Sequence, residues 1–215
     1  MTDPFAVKDC ALIAISTGEY AQNLREMRDR LVTVHPGCIY HHFWGGMLQP
    51  RFDEPEYMND FAAWAWRGLH DTGLAERLAL IDPTHYMDIE DLRRELAEVV
   101  EERLDESEMV PWSRSGQFFH FARSQIVVFD TQLRISNPRE LQERIGQMSL
   151  GSVFYHFIDA RRRVPGGKND FSAWLTDLDE DWSELAKVLA GVDPYFTTLE
   201  ELRRELEEIL KAYPM

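Results

Sequence analysis

Apolar positions along the chain fall into short runs and helical stripes, and the same order of elements is written twice. The compact β-branched runs ALIAI (11–15) and QIVVF (125–129), bounded by polar residues, predict two short strands. Leu24, Met27 and Leu31 recur at helical spacing and predict a helix over 19–32; Asn137 and Pro138 supply the cap and first residue of its counterpart, 138–148. Gly37 and Gly151 mark the entry to second helices carrying YHHFW and FYHF. Third helices open at NDFAAW and NDFSAW, where Asn59 and Asn169 are expected N-caps. There Phe61 with Trp64, and Phe171 with Trp174, sit three apart and share a face. Fourth helices, 74–81 and 182–189, end ahead of Asp82-Pro83 and Asp193-Pro194, since a proline restricts the residue before it. The last pair begins DIEDLRREL and TLEELRREL. Thr198 with Glu201 fits a capping box, and Leu92, Leu96 and Val99 form a buried stripe.

The correspondence is collinear. A shift of 114 places lays Phe119–Phe157 on Phe5–Phe43 without a gap, setting His156 on His42 and Gly151 on Gly37. From Asn59 onward the shift is 110, which sets Asp170 on Asp60 and Leu202 on Leu92. One loop, GGMLQPRFDEPEYM against DARRRVPGGK, absorbs most of the difference. Such periodicity predicts a duplication. The expected fold is mainly α: two tandem helical repeats related by a pseudo-two-fold axis, each preceded by a short β-strand. Repeat 1 takes 1–106, a linker rich in Pro, Gly and Ser takes 107–120, and repeat 2 takes 121–215. Each repeat is near the lower size limit for a core of its own, so the two are expected to pack as one globular unit.

Composition narrows the function classes. A net charge of −15 opposes general nucleic-acid binding and docking on anionic lipid, both of which need clustered cations. The N-terminus lacks the basic start and apolar core of a secretory signal, and no apolar run approaches a membrane span; a soluble, cytoplasmic protein is expected. The two cysteines, Cys10 and Cys38, fall on Ser124 and Ser152 of the other repeat, which predicts packing roles and not redox or nucleophilic ones.

The motifs YHHF, NDFAAW, Asp82-Pro83 and Pro111-Trp112, followed by FYHFIDAR, NDFSAW, DPY and LEELRREL, together resemble a prokaryotic family of about this length known as a domain of unknown function. The resemblance covers nearly the whole chain in content and order. It implies a compact, duplicated, cytoplasmic protein, brings no catalytic residues, and suggests an association with enzymes of trehalose and related glycan metabolism.

Three constellations carry candidate chemistry. His42 and His156 are the histidines at equivalent repeat positions; with Asp60 and Asp170 they would make a two-His, two-carboxylate set suited to iron, manganese or zinc, although no HxxxH or ExxH spacing places two ligands on one helical face. The competing reading is a partly buried histidine in each repeat, hydrogen-bonded to a carbonyl or to its neighbouring NDF aspartate. Arg161, Arg162, Arg163 and Lys168, beside Gly166 and Gly167, form a candidate anion site without the P-loop pattern. An exposed basic loop pairing with the protein's own acidic residues is the alternative. Tyr40, Phe43, Trp44, Trp64, Trp66, Phe154, Tyr155 and Trp174 would line a ligand pocket or fill a core. The expectation drawn from these features is a non-enzymatic binding, regulatory or accessory protein, without cofactor. Its partner would be a protein or a small phosphorylated or sugar-like ligand, held between the repeats by Tyr40, His42, Asp60, Tyr155, His156, Arg161 and Asp170. The alternative is a metal-dependent enzyme using the two-His, two-carboxylate set, with a transition metal as cofactor.

Overall fold

The computed structural model describes residues 3–49, 56–106 and 115–214; Pro111-Trp112 and most of the predicted linker lie outside them. Two strands of 17 residues each, β1 (Phe5–Ala21) and β2 (Phe119–Ile135), pair as a two-stranded sheet. They run antiparallel: Thr17 Oγ1 donates to the Phe121 carbonyl at 2.7 Å, and Thr131 Oγ1 donates to the Val7 carbonyl at 2.6 Å. The fold is therefore α+β, which corrects the expectation of a mainly α, all-helical repeat protein with two short strands. The missed strand residues lie at both ends of the apolar runs. At the front ends the signal is alternation, with Phe5 and Val7, and Phe119 and Phe121, buried between less buried neighbours. At the back ends Gly18 and Gln132 adopt positive φ (78° and 63°) just before each strand's last residues, an irregularity that apolar periodicity does not register. The first helix accordingly starts later than the predicted residue 19, at Leu24, where its apolar stripe begins, capped by Asn23.

Contacts divide the chain into two compact units. The first is Leu12–Gln125; the second is Met1–Ala11 together with Ile126–Met215. Each unit thus holds a segment of both strands, and the front of each strand belongs with the helices of the opposite half of the sequence.

The first unit contains α1 (Leu24–Thr33), α2 (Pro36–Trp44), α3 (Asp60–Arg67), α4 (Thr72–Ala79) and α5 (Ile89–Asp105). Helices α1, α2 and α4 pack on α5, and α3 packs on α4. Phe119 of β2 stacks on Phe61 and meets Trp64 edge-on, which fastens the strand to α3. The second unit contains α6 (Pro138–Arg144), α7 (Leu150–Val153), a π-helical segment over Phe154–Asp159, then α8 (Ala160–Arg163), α9 (Asp170–Leu178), α10 (Ser183–Ala190) and α11 (Leu199–Ala212). There Phe5 of β1 leans on Phe171 and Trp174. Burying one phenylalanine contributes about 2–3 kcal/mol, so each ring is a substantial part of its strand's hold.

The repeated NDF asparagine has two roles. Asn59 Oδ1 accepts the Ala62 N–H at 2.8 Å, capping α3, while its amide donates to the Leu78 carbonyl of α4 at 3.0 Å. Asn169 does the same with Ser172 and with the Leu189 carbonyl of α10. Both asparagines are buried, so one side chain starts a helix and also satisfies a carbonyl near the end of the next.

Candidate functional site

Each unit contains a histidine held between a strand and a helix start. In the second unit the Lys8 backbone N–H of β1 donates to His156 Nε2 at 2.8 Å, and His156 Nδ1 lies 2.7 Å from Asp170 Oδ2. In the first unit the Ala122 N–H of β2 donates to His42 Nε2 at 3.2 Å, and His42 Nδ1 lies 2.8 Å from Asp60 Oδ2. A ring nitrogen that accepts from a backbone N–H carries a lone pair, so the proton sits on Nδ1 and goes to the aspartate. Both nitrogens of both buried rings are thereby engaged by protein. The histidine and aspartate predicted to share a site do meet, pairwise: His42 with Asp60, and His156 with Asp170.

The surroundings of the two pairs differ. Asp170 is 17% exposed and is joined by Arg163, whose Nη2 lies 3.1 Å from the same Oδ2 that receives His156. The Arg163 guanidinium lies 4.0 Å from the centre of the Tyr155 ring, donates to the Tyr155 carbonyl, and pairs through Nε with Asp159 at 2.8 Å. Burial works against its charge, but Asp170, Asp159 and Tyr155 outweigh that and hold it above the ordinary arginine value. Asp159 is 1% exposed and receives Arg162 as well, at 2.5 Å. Asp159 stands where the π-helical segment meets α8, so Arg162 and Arg163 reach it at the ordinary i+3 and i+4 helical spacing.

In the first unit the corresponding aspartate is open. Asp60 is 50% exposed, and no cation from the described residues pairs with it. Tyr155 is replaced there by His41, and Asp159 by Gly45. His41 is 9% exposed, its Nδ1 lies 2.8 Å from Ser124 Oγ, and its ring packs edge-on against His42. Burial, and then the neighbouring His42, push its pKa down. Gly45 makes room for that ring: a Cβ at position 45 would come 2.7 Å from His41 Nδ1. Donor atoms of His41, His42 and Asp60 all lie within 4.8 Å of one another.

Of the predicted basic cluster, Arg161 donates to the carbonyls of Ala190 and Val192 at the end of α10, and Arg162 and Arg163 are paired as above; Lys168 is exposed. Three of the four cations thus serve their own unit. Tyr40 is half-buried on α2 and Tyr155 is buried beneath Arg163. Equivalence between the repeats does not mark His41 and Asp159, because these are positions where the repeats diverge. Cys10 is buried, its thiol donates to the Gly151 carbonyl at 3.3 Å, and burial, then Asp159 and Asp9, push its pKa up to about 12. Cys38 is likewise raised by burial. Among the described residues no helix is long and apolar enough to cross a membrane.

Residues 2–211 match the model of a family of unknown function, DUF5752, and the chain belongs to that family. It is also similar to the solved structure of OrfY from Thermoproteus tenax, at 30% identity and a TM-score of 0.84, over 97% of this chain and 94% of that one. No curated protein matches it.

Proposed function

We propose that this member of DUF5752 is a non-catalytic binding protein whose ligand or partner engages the first unit at Asp60. The observation that supports this reading most directly is the contrast between two matched carboxylates. Asp170 is neutralised by Arg163 within its own unit, whereas Asp60 is half exposed with His42 as its protein partner. A carboxylate held in place by a buried histidine N–H, with its remaining acceptor positions facing outward, is prepared to receive a donor or a cation.

The alternative of an enzyme built on His42, His156, Asp60 and Asp170 as four metal ligands draws less support. Each histidine already spends Nε2 on a strand N–H and Nδ1 on its aspartate. A metal on either ring would displace one of those bonds.

The test is a thermal-shift screen of metabolites and metal ions, the metabolites run with and without chelator, on the wild-type protein and on Asp60→Asn. The reading predicts a stabilising compound or ion whose shift is lost in Asp60→Asn. Compounds that shift both proteins equally would place binding elsewhere and contradict it.

A further inference from the structure

The two units supply an internal comparison that identifies the class of ligand. In the second unit the carboxylate at the start of α9 holds a positive charge, the Arg163 guanidinium, on the same oxygen that receives the histidine N–H. In the first unit the equivalent carboxylate keeps its histidine donor but has no such charge from the described residues. The aromatic face beneath the guanidinium, Tyr155, is exchanged there for the imidazole of His41. A π-face suits a flat organic cation; a ring nitrogen suits a metal ion.

We propose that the first unit binds a divalent first-row transition-metal ion through a His41 ring nitrogen and the Asp60 carboxylate, with solvent completing the coordination. This inference rests on the reading of Asp60 as the binding position. His42 is a positioning residue: its Nε2 takes the Ala122 N–H, so its Nδ1 proton goes to Asp60 and aims the carboxylate. Such a hydrogen bond to a ligating carboxylate is the usual outer support of a metal site. Ser124 gives His41 the same support, because a hydroxyl at 2.8 Å from Nδ1 fits either tautomer and leaves the other nitrogen for the ion. Zinc-class ions bind imidazole and carboxylate at about 2.0–2.2 Å, which brings ligand atoms to roughly 3–4 Å of one another. The donor atoms of His41, His42 and Asp60 spread over up to 4.8 Å, and a small shift of the half-exposed Asp60 side chain brings its second oxygen to the ion while Oδ2 keeps the His42 bond. Gly45 completes the site by leaving space under the His41 ring that any side chain would fill.

The experiment uses the full chain stripped with chelator and titrated with Zn²⁺ by calorimetry and with Co²⁺ by visible absorption. Wild type is compared with His41→Tyr, Asp60→Asn and, as a control, His85→Asn, which removes an exposed imidazole beside the buried Asp82. His41→Tyr copies the residue that the second unit carries at this place, so it removes the nitrogen while keeping an aromatic ring. The expected result is one ion per chain in wild type and His85→Asn, with affinity reduced at least tenfold in His41→Tyr and in Asp60→Asn. Absence of binding, or binding unchanged in His41→Tyr, overturns the metal assignment. Should the chelator screen still find a compound dependent on Asp60, the binding reading would stand and the metal inference alone would fall.

Discussion

The backbone N–H of Lys8 donates to Nε2 of His156 across 148 positions of sequence, at 2.8 Å. That bond ties the front of β1 to the π-helical segment, and Asp170 closes the other side of the ring. Replacing His156 by alanine removes both bonds and leaves a cavity beside Phe5 and Phe171. A loss of about 3 kcal/mol is expected, measured by urea denaturation. His42→Ala is expected to cost less, because its bond to Ala122 is longer, at 3.2 Å, and Asp60 is half solvated. Equal or reversed losses would contradict this ranking.

Gly151 and Gly37 are equivalent in sequence but not in tolerance. A Cβ at 151 would collide with the backbone carbonyl of Cys10 and the side chain of Asp9, whereas at 37 the tightest contact is the His35 ring at 3.0 Å. Gly151→Ala should therefore destabilise by about 2–3 kcal/mol, and Gly37→Ala by less than about 1 kcal/mol. Paired thermal melts check the difference.

Cys10 gives an alkaline signature. In the unfolded chain its thiol ionises from its ordinary value of 9.0, while in the folded protein burial keeps the proton on until about pH 12. Between these values the unfolded state binds fewer protons, so this group's contribution is complete below pH 9 and is lost as the pH rises toward 12. Cys10→Ser, the residue present at the equivalent position 124, is expected to flatten that part of the decline. Urea midpoints from pH 8 to pH 11 test it; parallel curves for the two proteins would contradict it.

Two glycines should respond with opposite sign to alanine. Gly18 has φ of 78° with nothing within 4 Å of a Cβ, so Gly18→Ala is expected to cost about 1 kcal/mol through backbone conformation alone. Gly73 lies inside α4 with only Asp71 Oδ1 at 3.9 Å, so Gly73→Ala should stabilise by about 0.5–1 kcal/mol. Differential scanning calorimetry of the two variants separates the cases.

The helices were legible because their signals are local. Asn59 and Asn169 cap α3 and α9 as their place before an apolar stripe implies, and Thr198 with Glu201 forms a capping box. The strands were only partly legible, since Phe5–Val7 and Phe119–Phe121 owe their burial to aromatic partners more than fifty residues away. The repeat made His42 and His156 equivalent and left either a carbonyl or the NDF aspartate as partner; the structure pairs them with Asp60 and Asp170. The strand N–H bonds that occupy the other ring nitrogens did not follow from the repeat, because a backbone donor leaves no mark in side-chain pattern. Comparing repeats for sameness also hid what distinguishes them, which is Tyr155 against His41 and Asp159 against Gly45.

Both His42 and His156 are fully engaged as strand-to-helix clamps, which leaves Asp60 and His41 as the open chemistry of the first unit. A long-range ¹H–¹⁵N correlation spectrum of the histidine rings tests it most directly, with His42→Gln and His156→Gln used for assignment. The expected spectrum shows His42 and His156 both as Nδ1–H tautomers, each with an unprotonated, hydrogen-bonded Nε2. An Nε2–H tautomer at either residue would mean that the strand N–H is not accepted there, and would contradict the account.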